Sequence, residues 1–245
     1  MVLAYYGGYG IRGGYYYYGF DWTYLLLVIG LVLSLVVSGR MKATASKYSR
    51  IQSRCGLTGA QAAQRILAAA GVQGVTIGHI SGNLTDHYNP ANKQLNLSDT
   101  VYNSTSLTAI GVAAHECGHA IQHAYGYSPL SIRSTIVPIA NIGSSLSWPI
   151  FFMGLIFGSS SLTAVGIILF SAVVVFQLVT LPVEFNASSR ALTMLENTGI
   201  MYREEIKDTK KVLRAAAMTY VAALAQSALQ LIRLLILAGG RRRDD

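Results

Sequence analysis

Between Arg133 and Glu184 the chain carries no charged side chain. At about 1.5 Å per helical residue, that run is too long for one crossing of a hydrocarbon core of about 30 Å, so it predicts two membrane helices folded as a hairpin. Their expected limits are Ile136 to Phe157 and Ala164 to Leu181, turning at residues 158–161, with Trp148 and Pro149 as an irregularity in the first. The apolar run from Tyr24 to Val37 predicts an uncleaved anchor. Its leader lacks a basic cluster, and Arg40, Lys42, Lys47, Arg50 and Arg54 follow it as a stop-transfer signal. A fourth apolar segment, Ala215 to Leu237, holds Gln226, Gln230 and Arg233 and reads as a weaker span facing other helices.

Composition agrees with a lipid environment. Hydrophobic residues make up 52% of the chain and charged residues 12%, against about 25% charged in ordinary soluble domains. The net charge of +8 belongs to topology rather than to nucleic acid, because Lys and Arg flank apolar runs and form no basic motif with interleaved aromatics. The basic residues between the first and second spans fall on the same side as those between the third and fourth, a side the positive-inside rule makes cytoplasmic. Arg241, Arg242 and Arg243 fit this only if a short tail is tolerated or the last segment does not fully cross. Two cysteines, Cys55 and Cys117, make no disulfide framework and favour a reducing compartment.

The organisation expected is a Tyr/Gly-rich leader (1–20) without assigned chemistry, an anchor (21–38), a soluble part with a histidine-bearing helix (39–133), a membrane hairpin (134–183), a helix and charged segment (184–214), and a last apolar helix with a basic tail (215–245). In the third part, LTGAQAAQRILAAAG predicts a helix capped by Thr58 and stopped by Gly71. Strands are expected at Val75 to Ile80 and Gln94 to Ser98, with turn residues from Asn89 to Asn92 between them. A second helix should run from Ser106 to Tyr125, ahead of Gly126. The fold class is mainly α: a multi-pass membrane protein with about four transmembrane helices and a helical core carrying a short β-hairpin or edge strand.

That second helix holds AAHECGHAIQH, which contains three of the five histidines. His115 and His119 are four residues apart, so on a helix they differ by about 40° in direction and stand about 6 Å apart along the axis. Both imidazoles can reach one ion, and Glu116 beside the first is placed to take a proton from water: the H-E-x-x-H arrangement of zinc peptidases. A catalytic zinc wants three protein ligands and one open position. A metzincin would find its third ligand at position 125, with glycine at 122, but those residues are Tyr125 and Gln122. His123, one turn further along the same helix, suits a supporting or surface role.

Glu184 is the better third ligand. It ends the uncharged run, and Ala187, Ser188 and Ala191 beyond it make a small-residue face on which another helix can pack closely. Glu196, Asp86 and Glu204 are the alternatives. Tyr220, His87 and Arg190 are candidate oxyanion stabilisers. The strand at Gln94 to Ser98 is a candidate for holding an extended substrate.

The run LTDHYNPANKQLNLSDTVYNSTSLTAIGVAAHECGHAIQH, then LPVEFNASSRAL and VLRAAAMTYVAAL, resembles the YugP-like neutral zinc metallopeptidases of bacterial membranes. The resemblance covers most of the chain from about residue 40 onward. It implies one Zn2+ ion held by His115, His119 and Glu184 in the gluzincin manner, with Glu116 as base. HtpX-type peptidases, similar in layout, place an Asp four residues after the third-ligand Glu; here that position is Ser188. The function expected is a zinc-dependent endopeptidase in the cell membrane, its active site on the cytoplasmic side and its partners a protein or peptide substrate and the lipid bilayer, not nucleic acid. The alternative is a non-catalytic membrane scaffold with a structural zinc. A transporter is disfavoured because the hairpin spans hold no ionisable group.

Overall fold

The computed structural model describes residues 21–241. The Tyr/Gly leader and the end of the basic tail lie outside the described residues. Four helices are long and apolar enough to cross a membrane: α1 (Tyr24–Ser49), α4 (Ser128–Ile156), α5 (Ser160–Asn197) and α6 (Arg203–Arg241). Two shorter helices, α2 (Gly59–Ala69) and α3 (Leu107–Ala124), and three strands, β1 (Thr76–Ile80), β2 (His87–Asn89) and β3 (Gln94–Ser98), complete the fold.

The long helices pack in a row, α1 on α6, α6 on α5 and α5 on α4. In the α4/α5 hairpin, a Cβ on Gly154 would meet Thr163 N at 2.5 Å, and one on Gly143 would meet Leu169 O at 2.5 Å. The missing side chains therefore let the two backbones touch, which is how helices gain dispersion contacts when lipid is the competing solvent. Gly158, at φ +67°, turns the chain between them.

α1 and α6 run antiparallel over most of their length. Tyr48 donates to Asp208 (3.1 Å), Ser34 to Gln226 Oε1 (2.6 Å), and Arg233 Nε to Thr23 Oγ1 (3.3 Å). As residue numbers fall along α1 they rise along α6, so α6 keeps company with the anchor from one end to the other. Gln226 thus faces another helix, as a polar side chain in an apolar segment should.

The long helices outrun the apolar segments expected from the sequence: α1 runs on to Ser49, α4 starts at Ser128, α6 starts at Arg203, and α5 continues through Pro182 well past Leu181. α4 is also helical through Trp148 and Pro149, where an irregularity is expected. A proline removes one N–H from the ladder. Here the flanking turns hold the path: Trp148 contacts Phe151 and Phe170 and stacks on Phe152.

The smaller elements follow local chemistry closely. Thr58 and Gln61 close a reciprocal capping box at the start of α2. Ser106 accepts from Ala109 N (3.2 Å) to start α3, and Gly126 (φ +62°) follows its end. The sheet order is β1-β3-β2, with β1 parallel and β2 antiparallel to β3. β3 is therefore paired on both edges and cannot accept an extended substrate as a new strand, contrary to the expectation for Gln94 to Ser98. β2 was not foreseen: three residues are too few to show a period of two.

α3 lies across the ends of three long helices, and each crossing has an identifiable contact. Thr108 Oγ1 donates to Ala45 O on α1 (3.0 Å). A Cβ on Gly111 would meet Thr209 Cγ2 of α6 at 2.7 Å, and one on Gly118 would meet Ala187 O of α5 at 2.4 Å. The other faces of α3 bury Ile110, Ala113, Ala114 and Cys117 among Ile66 of α2, Leu95 and Leu97 of β3, and Ala191 and Leu195 of α5. Gly118→Ala must push α5 off α3 by tenths of an ångström. It is expected to cost about 1–3 kcal/mol, read as a lowered unfolding midpoint of the purified protein in detergent, whereas Gly39→Ala, in the interior of α1 with open space around its Cβ, should hold or raise the midpoint.

Candidate metal centre

The helical spacing of α3 puts His115 and His119 on one face, with ring centroids 4.8 Å apart. The close approach at Gly118 and Ala187 brings in α5, on which Glu184 stands three residues before Ala187. Glu184 Oε2 lies 3.2 Å from His115 Nε2 and 3.6 Å from His119 Nε2. All three ligand atoms lie within 4.8 Å of one another, the one such group among the described residues. Of the alternatives for the third position, Asp86 lines the same cavity as His115 and Glu184 but is engaged by Ser98, accepting from its N–H (2.7 Å) and hydroxyl (2.9 Å). Glu196 and Glu204 are exposed.

The donor set fits a zinc ion. Two imidazole nitrogens and a carboxylate oxygen are the usual mixture, and a tetrahedral shell with bonds of about 2.0–2.1 Å sets neighbouring donors about 3.3 Å apart. The 3.2 and 3.6 Å separations straddle that value. Glu184 is 2% exposed, and a buried carboxylate facing two imidazoles needs a cation, whether proton or metal, to balance it. At His119, burial opposes a charge, but the hydrogen bond its ring can donate to Glu184 and the fields of Glu116 and Glu184 outweigh it and hold its pKa above the usual imidazole value. The local potential is thus negative and favours a cation.

Which nitrogen of His119 faces the site follows from a chain of donors. Arg190 can only donate, so the Asn186 atom 2.7 Å from its Nε is the carbonyl oxygen. That oxygen and the Val183 carbonyl both accept from Gln122, at 3.0 and 2.8 Å, so the Gln122 atom between them is the amide nitrogen. Gln122 Oε1 then accepts from His119 Nδ1 (3.0 Å), which must carry the proton. The lone pair of His119 is left on Nε2, toward Glu184 and the site. At the other ligand, Ser188 Oγ lies 3.1 Å from His115 Nδ1. A hydroxyl therefore occupies the place where HtpX-type peptidases put a carboxylate, and orients the ring without adding charge.

Glu116 is 7% exposed and has no hydrogen bond or ion pair among the described residues. It lines a cavity of about 170 Å³ with His115, Glu184, Ser188 and Tyr220. Of the three oxyanion candidates, Tyr220 alone reaches this wall. His87 is engaged by Thr85 O and the Asn96 amide, and Arg190 by Asn186 and the Tyr127 ring. His123 bonds Tyr88 of β2 through Nδ1 (2.8 Å) and so ties the sheet to the end of α3 rather than joining the ligand group. Sequence reasoning missed Gln122, Asn186 and Arg133, whose Nη1 stands 3.8 Å from Glu184 Oε1. A polar residue three positions after His119, in an otherwise apolar stretch of helix, was the available signal for Gln122.

Comparison with known proteins agrees with this geometry. Residues 23–239 match the model of a family described as "Putative neutral zinc metallopeptidase". The chain belongs to this family. It is also similar to the "Putative membrane protease YugP" of Bacillus subtilis (strain 168), at 44% identity over 217 residues, covering 88% of this chain and 96% of that protein. No solved structure matches it. Membership in a zinc metallopeptidase family implies a zinc ion, and likeness to a membrane protease accords with the four long apolar helices.

Because Gln122 is fully buried and fixes the His119 tautomer, Gln122→Leu should weaken zinc affinity about 10–100-fold. Competition with a fluorescent chelator measures this. An unchanged affinity would mean that the ring is oriented by packing alone.

Proposed function

We propose that the protein is a membrane-embedded zinc endopeptidase, with His115, His119 and Glu184 as ligands and Glu116 as general base. The observation that carries this reading is Glu116, a largely buried residue whose carboxylate has no protein partner among the described residues and which lines the same cavity as His115 and Glu184. A carboxylate left unpaired beside the ligand atoms is free to handle a proton, and a site that serves only structure has no use for one. When bound, zinc supplies Lewis acidity that polarises a carbonyl and makes water a better nucleophile near neutral pH.

The chain's own residues do the rest. Glu116 accepts the proton of the attacking water on a carboxylate oxygen and passes it to the leaving amine nitrogen as the peptide C–N bond breaks. The Tyr220 hydroxyl, lining the same cavity, donates a hydrogen bond to the scissile oxygen as it gains charge. His115, His119 and Arg133 surround the Glu184 carboxylate, and the Gln122 and Ser188 contacts keep both rings aimed. The scaffold alternative is less well supported: a structural zinc is closed by four protein ligands, whereas three converge here among the described residues.

The same reading makes the protein multi-pass, with the metal centre on the cytoplasmic side. Basic residues concentrate at the end of the row that carries α3. The pairing of α6 with α1 along the anchor supports a full crossing by the last helix and a tolerated basic tail beyond it.

Three outcomes test the proposal. Glu116→Gln should retain zinc yet lower hydrolysis of unfolded casein by about 10²–10⁴-fold; undiminished activity would refute the mechanism. Glu184→Ala should lose both tight zinc and activity, while Glu196→Ala should lose neither. With a membrane-impermeant maleimide on intact cells, Phe157→Cys at the hairpin tip should label and Lys93→Cys should not; the reverse pattern would invert the topology.

A further inference from the structure

The cavity beside Glu116 is built largely from membrane helices. Met41 comes from α1, Glu184 and Ser188 from α5, and Leu213, Ala216 and Tyr220 from α6. Their depth can be read along each helix. Met41 is four residues beyond Val37, the last of the anchor's apolar run, and Glu184 is three beyond Leu181. Tyr220 lies five residues inside the apolar run that starts at Ala215. At about 1.5 Å per residue, these three helices place the cavity within roughly 8 Å of the hydrocarbon boundary, on either side of it.

Two more observations bear on what can enter. α1, α5 and α6 all contribute to its wall, with α6 packed against both of the others. Asp86 and Leu84 of the loop before β2 line it as well. Leu84 stands at φ +57° and is 43% exposed. Its loop is braced by Asp99, which accepts from Gly82 N (2.8 Å) and lies 2.7 Å from His79 Nε2. Those hydrogen bonds, Gly82 first, hold the Asp99 carboxyl below the usual carboxylate range. A leucine held in a left-handed conformation carries backbone strain, and here its side chain joins Met41, Val112 and Leu213 as the apolar part of the cavity wall. That part offers a surface to an apolar chain passing over it. The volume of about 170 Å³ is below the roughly 300 Å³ at which small-molecule pockets begin and suits one apolar side chain.

We infer that the substrates of this site are polypeptides anchored in the same membrane, cut within about two helical turns of the point where they leave the bilayer. This rests on the peptidase reading and narrows it to a substrate class. An anchored chain leaves the lipid at the height of the cavity, passes between Leu84 and the α1/α6 wall, and presents its carbonyl between Glu116 and Tyr220. A soluble chain must instead bring its apolar residue down to the membrane surface unaided.

The test uses the full-length protein loaded with zinc and reconstituted into phosphatidylcholine/phosphatidylglycerol vesicles. The probe is a Leu-rich transmembrane helix followed by three identical Ala- and Leu-containing cleavable units in tandem, separated by Gly/Ser spacers. Cut positions are mapped by mass spectrometry, and the same unit is supplied free in solution. The unit next to the membrane is expected to give at least about tenfold more product than the third unit, and more than the free unit at matched total concentration. Cuts spread evenly over the three units, cuts favouring the distal one, or equal cleavage of the free unit would overturn the inference and leave the peptidase reading standing. Absence of product from every probe, with unfolded casein also intact, would remove the peptidase reading and this inference with it.

Discussion

The contact on which the site depends is between two backbones. Gly118 of α3 lies against the Ala187 carbonyl of α5, so close that a Cβ would meet it at 2.4 Å. The histidines stand on one helix and the third ligand on another, 65 positions away in sequence. No loop or strand brings them together, so the carboxylate reaches the imidazoles because nothing separates the two helices. The glycine lies inside the H-E-x-x-H motif itself, which gives one turn of α3 two faces: one carries His115 and His119, and the bare one lets Glu184 approach them. Ala191 and Leu195, one and two turns further along α5, are fully buried and extend the contact into the core. The geometry of the site is thereby tied to the stability of the whole soluble part.

Membrane and chemistry meet at the same place. α3 crosses the ends of α1, α5 and α6 through Thr108, Gly118 and Gly111 respectively, so the helix bearing the metal ligands sits on the row of long helices rather than on a separate domain. A carboxylate such as Glu184 at the end of an apolar span would ordinarily turn toward water. Here it turns inward, where His115, His119 and Arg133 compensate it. The polar groups around it, Gln122, Asn186 and Ser188, complete a hydrogen-bonded shell in which Arg190 and the Val183 carbonyl fix the roles of Asn186 and Gln122.

Much of this was legible in the sequence, because the signals were local or had a strong period. The capped helices at Thr58 and Ser106, the hairpin in the uncharged run, and the face shared by His115 and His119 all rest on spacings within a few residues. Glu184 could be reached because a charge ending so long an apolar run is conspicuous and small residues follow it. β2 could not, since His87 to Asn89 is too short to alternate. The continuity of α5 through Pro182 was also hidden: proline followed by a charge reads as the end of a span, and only packing against α3 and α6 keeps the helix going. Gln122 carried a weak signal, because its importance lies in Val183 and Asn186, which are far away along the chain. The pairing of β3 on both edges was likewise a property of the sheet that no single strand announces.

X-ray absorption at the zinc edge of the purified protein in detergent, with metal content measured on the same sample, tests the central claim most directly. One zinc per chain is predicted, with two imidazole nitrogens, oxygen donors in the remaining positions and no sulfur. In Glu184→Gln, the metal content should fall. No zinc in the native protein, a sulfur contribution from Cys117 or Cys55, or a shell unchanged by the loss of the Glu184 carboxylate would contradict it.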